Sequence, residues 1–142
     1  MRFFTVYGSY GRPDMAIYLF TDAIANNKPI KVFNNGDLFR DFTHVKDVVK
    51  GIEILLNNNK IKDNYNIFNI ANGKSEKLES FINEIEINLN KKAKRINMSM
   101  QSGDVKKTWA NIDKIKELGY SSKVSIKEGV KEFVDWYKKR NE

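Results

Sequence analysis

An α/β domain is the fold class this sequence predicts, and three observations carry it. Apolar residues recur at helical spacing in several separate windows, short extended runs stand between those windows, and no repeat or low-complexity linker interrupts the alternation. At 142 residues the chain suits one domain, residues 1–142. A domain of that size buries roughly 68–70% of its unfolded surface, enough for a core.

The elements follow in order. "RFFTVY" (2–7) is apolar almost throughout and reads as a strand buried on both faces, closed by Gly8. After Pro13, which suits a first helical turn, Ala16, Leu19, Phe20, Ala23 and Ile24 mark a helix ending near "NNKP". "IKVF" (30–33), the turn "NNGD" (34–37) and "FRDF" (39–42) predict a hairpin. Thr43 is placed to cap a helix whose apolar face is Val45, Val48, Val49, Ile52, Leu55 and Leu56. "YNIFNIA" (65–71) is a strand with a turn after it at Asn72-Gly73. Leu78, Phe81, Ile82, Ile85 and Leu89 mark another helix, and "RINMSM" (95–100) is extended. Asn111 is placed to cap a short helix over 112–118 that Gly119 stops. Ser125 and Glu128 form a capping box ahead of Ile126, Val130, Phe133, Val134 and Tyr137. The first strand is out of character with the shorter, mixed strands after it. Its composition predicts a place between strands of another sheet, with partners outside the chain.

Composition narrows the function. With no cysteine, disulfides and thiolate zinc sites are excluded, and the expected compartment is the cytoplasm. No run approaches the ~20 consecutive apolar residues of a membrane span, and the N-terminus lacks the basic and apolar regions of a signal peptide, so no membrane partner is expected. The net charge is +7, from 25 Lys+Arg against 18 Asp+Glu. Its clusters are short: "KKAKR" (91–95), and "YKKR" (137–140) closing a helix where cations suit the dipole. They predict solvated faces or small anionic ligands, with no nucleic-acid partner.

Two kinds of machinery are missing from the sequence. A dinucleotide loop needs G-x-G-x-x-G or a close variant between strand and helix, whereas "YGSYGRP" (7–13) has glycines only at 8 and 11 and runs into a proline. A proton-transfer pair needs a Tyr with a Lys four residues later. Tyr7, Tyr10, Tyr18, Tyr65 and Tyr120 lack one, and Tyr137 is followed by Lys138 and Lys139 but by no Lys at 141. His44, the sole histidine, has no cysteine or second histidine with which to share a metal and reads as structural. No catalytic, cofactor-binding or metal-binding residue is therefore expected.

"RFFTVYG" (2–8), "GRPDMA" (11–16), "VFNNG" (32–36), "RDFTHVKDVV" (40–49), "GDV" (103–105) and "GVKEFVDWY" (129–137) occur in an order that resembles the carboxyl-terminal part of extended short-chain dehydrogenase/reductases. The resemblance runs to the nucleotide-sugar epimerases and dehydratases, most closely the UDP-glucuronate 4-epimerases. It implies a complete chain more than twice as long, whose front half is a Rossmann domain carrying the glycine-rich loop, a Ser/Thr partner and a Tyr-x-x-x-Lys pair. The expected architecture is then the α/β substrate-binding portion of an extended Rossmann-type epimerase, with "RFFTVY" as one leftover Rossmann strand. In the complete enzyme the resemblance implies a bound NAD that takes hydride from C4 of the sugar and returns it to the other face. The chain alone is expected to be inactive. Its implied partners are a UDP-sugar held weakly, a separately encoded Rossmann half, and further copies of itself through residues 2–7. The alternatives are a fragment of a related UDP-sugar dehydratase or decarboxylase, and a non-enzymatic interaction domain that retains the fold.

The resemblance also implies which residues grip the ligand. Arg40 suits a diphosphate, because a guanidinium binds phosphate oxygens in a bidentate fork; the competing reading is an ion pair with Asp37 or Asp41. Val32 and Phe33 fall where the family lays a strand beside uracil. Asp104 matches an acidic residue that accepts hydrogen bonds from ribose hydroxyls, with Gln101 in the same loop. Thr5 and Arg12 fall near the sugar or its C6 carboxylate, and Arg12 is a cation at a helix N-terminus, where the dipole gives it no support. The sequence departs from the family pattern at Ser9, normally Pro, at His44, usually an aromatic, and at Trp109, usually Tyr.

Overall fold

The computed structural model describes residues 1–59, 61 and 65–141. In chain order the elements are β1 (Arg2–Phe3), β2 (Thr5–Tyr7), α1 (Ala16–Ala25), β3 (Pro29–Phe33), a short turn of helix (Asn34–Gly36), β4 (Phe39–Arg40), β5 (Phe42–His44), α2 (Val45–Leu56), β6 (Asn69–Ile70), β7 (Glu76–Lys77), α3 (Leu78–Leu89), β8 (Lys94–Met98), α4 (Asp113–Lys116) and α5 (Ile126–Asn141). The α/β alternation is as expected, but the strand pairing is not.

Strands β1 and β6, β2 and β5, and β3 and β8 pair in parallel, and β4 and β7 pair antiparallel. The opening run therefore has partners inside the chain, contrary to expectation. It breaks at Phe4, so that Arg2 and Phe3 lie opposite Asn69 and Ile70 while Thr5, Val6 and Tyr7 lie opposite Phe42, Thr43 and His44. Nor is it buried on both faces. Phe3 is 48% exposed and only Tyr7 of the run is buried, because each of these sheets has two strands and so leaves one edge of the run without a neighbouring strand among the described residues. Parallel strands normally lie inside larger, covered sheets. An edge of this kind recruits further strands. Sizing with light scattering at tens of micromolar should therefore show a self-associated species that shrinks when Phe3 is replaced by Lys; a strictly monomeric profile would refute pairing through residues 2–7.

The hairpin over 30–42 does not form. Asn34, Asn35 and Gly36 have φ of 48, 50 and 80°, a left-handed turn that Asn and Gly tolerate and most residues do not. The turn is closed by the Asp37 N–H donating to the Asn34 carbonyl. It directs the chain away, and β3 gains five paired positions with β8, whereas β4 is two residues long. The cap of α2 also differs. His44 caps it, its Nδ1 accepting the Lys46 N–H at 3.3 Å, because the Thr43 hydroxyl is committed to Asp41 at 3.2 Å. Leu19, Val49 and Leu56, expected on buried faces, are 52, 50 and 79% exposed, and Ile17 and Thr21 occupy the buried face of α1 with Phe20 and Ile24. The capping box forms as expected: Ser125 donates from N–H and Oγ to Glu128 Oε2, and the Glu128 N–H returns to Ser125 Oγ at 3.2 Å. Asn111 Oδ1 accepts the Asp113 N–H at 2.9 Å, but the cap residue of α4 is Ile112, and the helix covers Asp113–Lys116 in place of the expected 112–118.

Two apolar clusters hold these elements. One joins Tyr7 to α1, β3, α3 and α5; the other joins α2, β6, α4 and Tyr120. Gly129 explains itself where α5 crosses β2. A Cβ there would lie 2.4 Å from the Tyr7 hydroxyl and 2.8 Å from His44 Cδ2, so no larger residue permits the approach.

His44 is buried and structural. As Nδ1 accepts a hydrogen bond, the proton of the neutral ring sits on Nε2, which has no partner among the described residues. Burial lowers its pKa from the usual 6.5, with Lys46 helping and Glu132 and Asp47 opposing. The folded state thus binds this proton less readily than the unfolded chain, so its stability is complete above about pH 6.5 and declines as the pH falls below it. Denaturation between pH 7.5 and 5 should show that decline, and His44→Asn, which keeps a capping acceptor without titrating, should flatten it. An unchanged slope in the variant would contradict the assignment.

Candidate functional site

A cleft of about 610 Å³ opens between α1, β3 and the β4–β5 segment. Four of the sequence-derived ligand residues line it: Thr5 from β2, Phe33 from the end of β3, Arg40 from β4 and Gln101 from the loop after β8. Its walls are largely apolar, with Leu19 and Phe20 of α1 facing Phe42 and Leu78. Such a lining with a few convergent polar groups is the usual form of a small-molecule site.

Asp104 joins the cleft through Arg40. Arg40 Nη2 donates to Asp104 Oδ1 at 2.6 Å, and Nη1 donates to the Phe39 carbonyl at 2.9 Å and the Lys106 carbonyl at 3.3 Å. The competing ion pairs do not occur: Asp37 pairs with Lys106 at 2.6 Å, and Asp41 is committed elsewhere. The two remaining sequence-derived residues are placed differently. Val32 is 2% exposed with its side chain in the core, since strand alternation sends Phe33 to the cleft and Val32 inward. Arg12 lies outside the cleft lining, exposed and paired with Asp14 at 3.1 Å, although Asp14 itself is a lining residue.

A set of buried carboxylates that the sequence reading did not single out ties the elements of the fold to one another. Asp41 has no exposed surface. Its Oδ1 accepts the Thr43 hydroxyl and the Asn72 N–H (2.9 Å), and its Oδ2 accepts the N–H groups of Gly73 (3.1 Å) and Ala110 (3.2 Å). One side chain thereby ties β5, the turn after β6 and the segment leading out of the 101–108 loop. The available signal was the alternation in "FRDF": if Arg40 faces a ligand, Asp41 faces the interior. Asp47 plays the same part for α2, accepting the Ser122 hydroxyl (2.7 Å) and the N–H groups of Lys123 (3.0 Å) and Val124 (3.1 Å). Glu86 holds the end of α3 to β8. Burial pushes its pKa up, but hydrogen bonds from Lys92, the Ala93 N–H and Arg95 outweigh that and leave it lowered. Three of the four basic residues of "KKAKR" are accounted for in this way: Lys92 and Arg95 serve Glu86 and Glu79, and Lys91 donates to the Ala25 carbonyl. Among the described residues no group of acidic or histidine side chains could hold a metal ion, and no helix is long and apolar enough to cross a membrane.

Fold and cleft together define an α/β unit with an apolar-walled cleft and an open parallel edge. The sequence profile of the NAD dependent epimerase/dehydratase family matches residues 1–71. A UDP-glucuronate 4-epimerase of Thermodesulfobacterium geofontis is 40% identical over 144 residues, covering 100% of this chain and 43% of that protein. An uncharacterized protein of Methanocaldococcus jannaschii is 50% identical over 138 residues, covering 96% of this chain and 41% of that protein. The crystal structure of UDP-glucuronic acid 4-epimerase from Bacillus cereus, in complex with UDP-glucuronic acid and NAD, superimposes with a TM-score of 0.91 at 31% identity, over 98% of this chain and 44% of that one. This chain belongs to the NAD dependent epimerase/dehydratase family. It spans less than half the length of these relatives.

Proposed function

We propose that this chain is the nucleotide-sugar-binding portion of an NAD-dependent UDP-sugar epimerase of the UDP-glucuronate 4-epimerase type. The observation that carries the reading is the pairing of Asp104 with Arg40, which lines the cleft together with Thr5, Phe33 and Gln101. A UDP-sugar presents a flat base, a diol, two phosphate charges and a sugar. Phe33 flanks the base, Asp104 accepts from the ribose hydroxyls, Arg40 donates to the diphosphate, and Thr5 meets the sugar end. Arg12 reaches a sugar carboxylate only by leaving Asp14, an exposed pair that holds it by on the order of 1 kcal/mol or less.

The segment between β2 and α1 does not fit a dinucleotide-binding loop. It has glycines only at 8 and 11, reaches Pro13 before the helix, and turns at Tyr10 with φ of 62°. No step of redox chemistry is assigned to its side chains. The proposed partner is a polypeptide that supplies strands beside β2 together with the NAD site and the proton-transfer pair, in the cytoplasm. Self-association through the same edge is the second reading, favoured by the exposure of Phe3. The purified chain should retain no NAD and turn over neither UDP-glucuronate nor UDP-galactose. Turnover by the chain alone, followed by chromatography of the sugar nucleotides, would sink the proposal.

A further inference from the structure

We propose that Asp104 is a positioning residue for Arg40: its carboxylate fixes the guanidinium for an anionic ligand, and the ion pair persists when the ligand binds. This rests on the nucleotide-sugar reading and adds a second duty to Asp104. Three observations lead to it. First, the Nη2–Oδ1 contact is 2.6 Å between side chains only 17% and 30% exposed, so the pair is shielded more than a surface pair. Second, the guanidinium is gripped at both nitrogens of its fork, with Nη1 on the carbonyls of Phe39 and Lys106 while Nη2 is on Asp104. Third, the grip is incomplete on the side a ligand needs. A guanidinium has five N–H donors, and those contacts leave the Nε–H and one Nη2–H without a partner among the described residues. Asp104 Oδ1 takes the Arg40 and Val105 N–H groups, leaving Oδ2 without a partner among the described residues.

An anion therefore finds unused donors on an arginine that is already oriented, and a hydroxyl finds an unused carboxylate oxygen beside it. Nothing has to be exchanged. A free arginine gives up side-chain rotamer freedom when captured, and fixing it beforehand removes part of that cost from binding.

The proposal makes a prediction of unusual sign. By Coulomb's law alone, removing a carboxylate next to Arg40 strengthens anion binding. Positioning predicts the reverse, even for an anion with no ribose. The test is a titration of the whole chain with inorganic pyrophosphate, read by NMR at the Arg40 Nε and Nη signals, for the wild type, Asp104→Ala and Asp104→Asn. Amide signals away from the 101–108 loop report that the fold is retained. The wild type should show slowed rotation of the Arg40 Nη groups, lost in Asp104→Ala. Pyrophosphate binding should weaken about fivefold in Asp104→Ala and recover in part in Asp104→Asn, whose amide oxygen still accepts a hydrogen bond. Freely rotating Nη groups in the wild type, no effect of pyrophosphate on wild-type Arg40, or equal or tighter binding by Asp104→Ala would each overturn the proposal. If these arms behave as expected but UDP binds no more tightly than pyrophosphate, Asp104 positions Arg40 and the nucleotide reading of the cleft is what fails.

Discussion

Replacing Asp41 by Ala is expected to cost about 3–5 kcal/mol of folding free energy, the largest effect of any single polar substitution in this chain. The carboxylate is wholly buried and accepts three backbone N–H groups, those of Asn72, Gly73 and Ala110, besides the Thr43 hydroxyl. Without it the Gly73 and Ala110 N–H groups are left in the interior with no acceptor, the Asn72 N–H keeps only the Thr43 hydroxyl at 3.0 Å, and β5, whose Phe42 lines the cleft, loses its tie to both segments. Asp41→Asn retains one acceptor oxygen but places an NH₂ against the same N–H groups, so it should be nearly as damaging. Urea denaturation measures both. A loss below about 1 kcal/mol for Asp41→Ala would show that water satisfies those donors and that the carboxylate is no anchor.

The helices were largely legible in the sequence, because a helix is written locally. The capping box at Ser125 and Glu128, the apolar faces of α3 and α5, and the stop at Gly119 each depend on residues within about a turn of one another. The strands were not legible in their pairing, which is set by contacts far apart in the chain. Nothing within 30–42 says that β3 prefers β8 to β4, and nothing within 2–7 says that Phe4 breaks the run between β6 and β5. The cleft divides in the same way. Thr5, Phe33, Arg40 and Gln101 were named by resemblance to family motifs and do meet in one cleft. The Arg40–Asp104 pair spans 64 positions, and Asp41 and Asp47 were hidden because a buried carboxylate is distinguishable from a solvated one only when its N–H donors have been placed.

The second large effect concerns the ligand. Arg40→Ala should remove most of the affinity for UDP, whereas Lys91→Ala should change it little, since Lys91 is tied to the Ala25 carbonyl and neither residue lines the cleft. The affinity itself should be modest. The cleft is open, so water competes for each charge contact, and contacts of that kind contribute on the order of 1 kcal/mol each. A dissociation constant of roughly 1 mM corresponds to about −4 kcal/mol, and it should weaken as salt rises, because screening at 0.1 M already acts over about 10 Å.

The central question is whether the cleft of this chain recognises a nucleoside diphosphate. Titration of the chain with UDP, followed by NMR shifts at low and high salt, measures it directly. Saturable shifts at Phe33, Arg40, Gln101 and Asp104 that weaken with salt and vanish in Arg40→Ala are the expected result. Shifts that spare those residues, or binding lost equally in Lys91→Ala, would contradict the assignment of the cleft and favour an interaction domain that has kept the fold without the ligand.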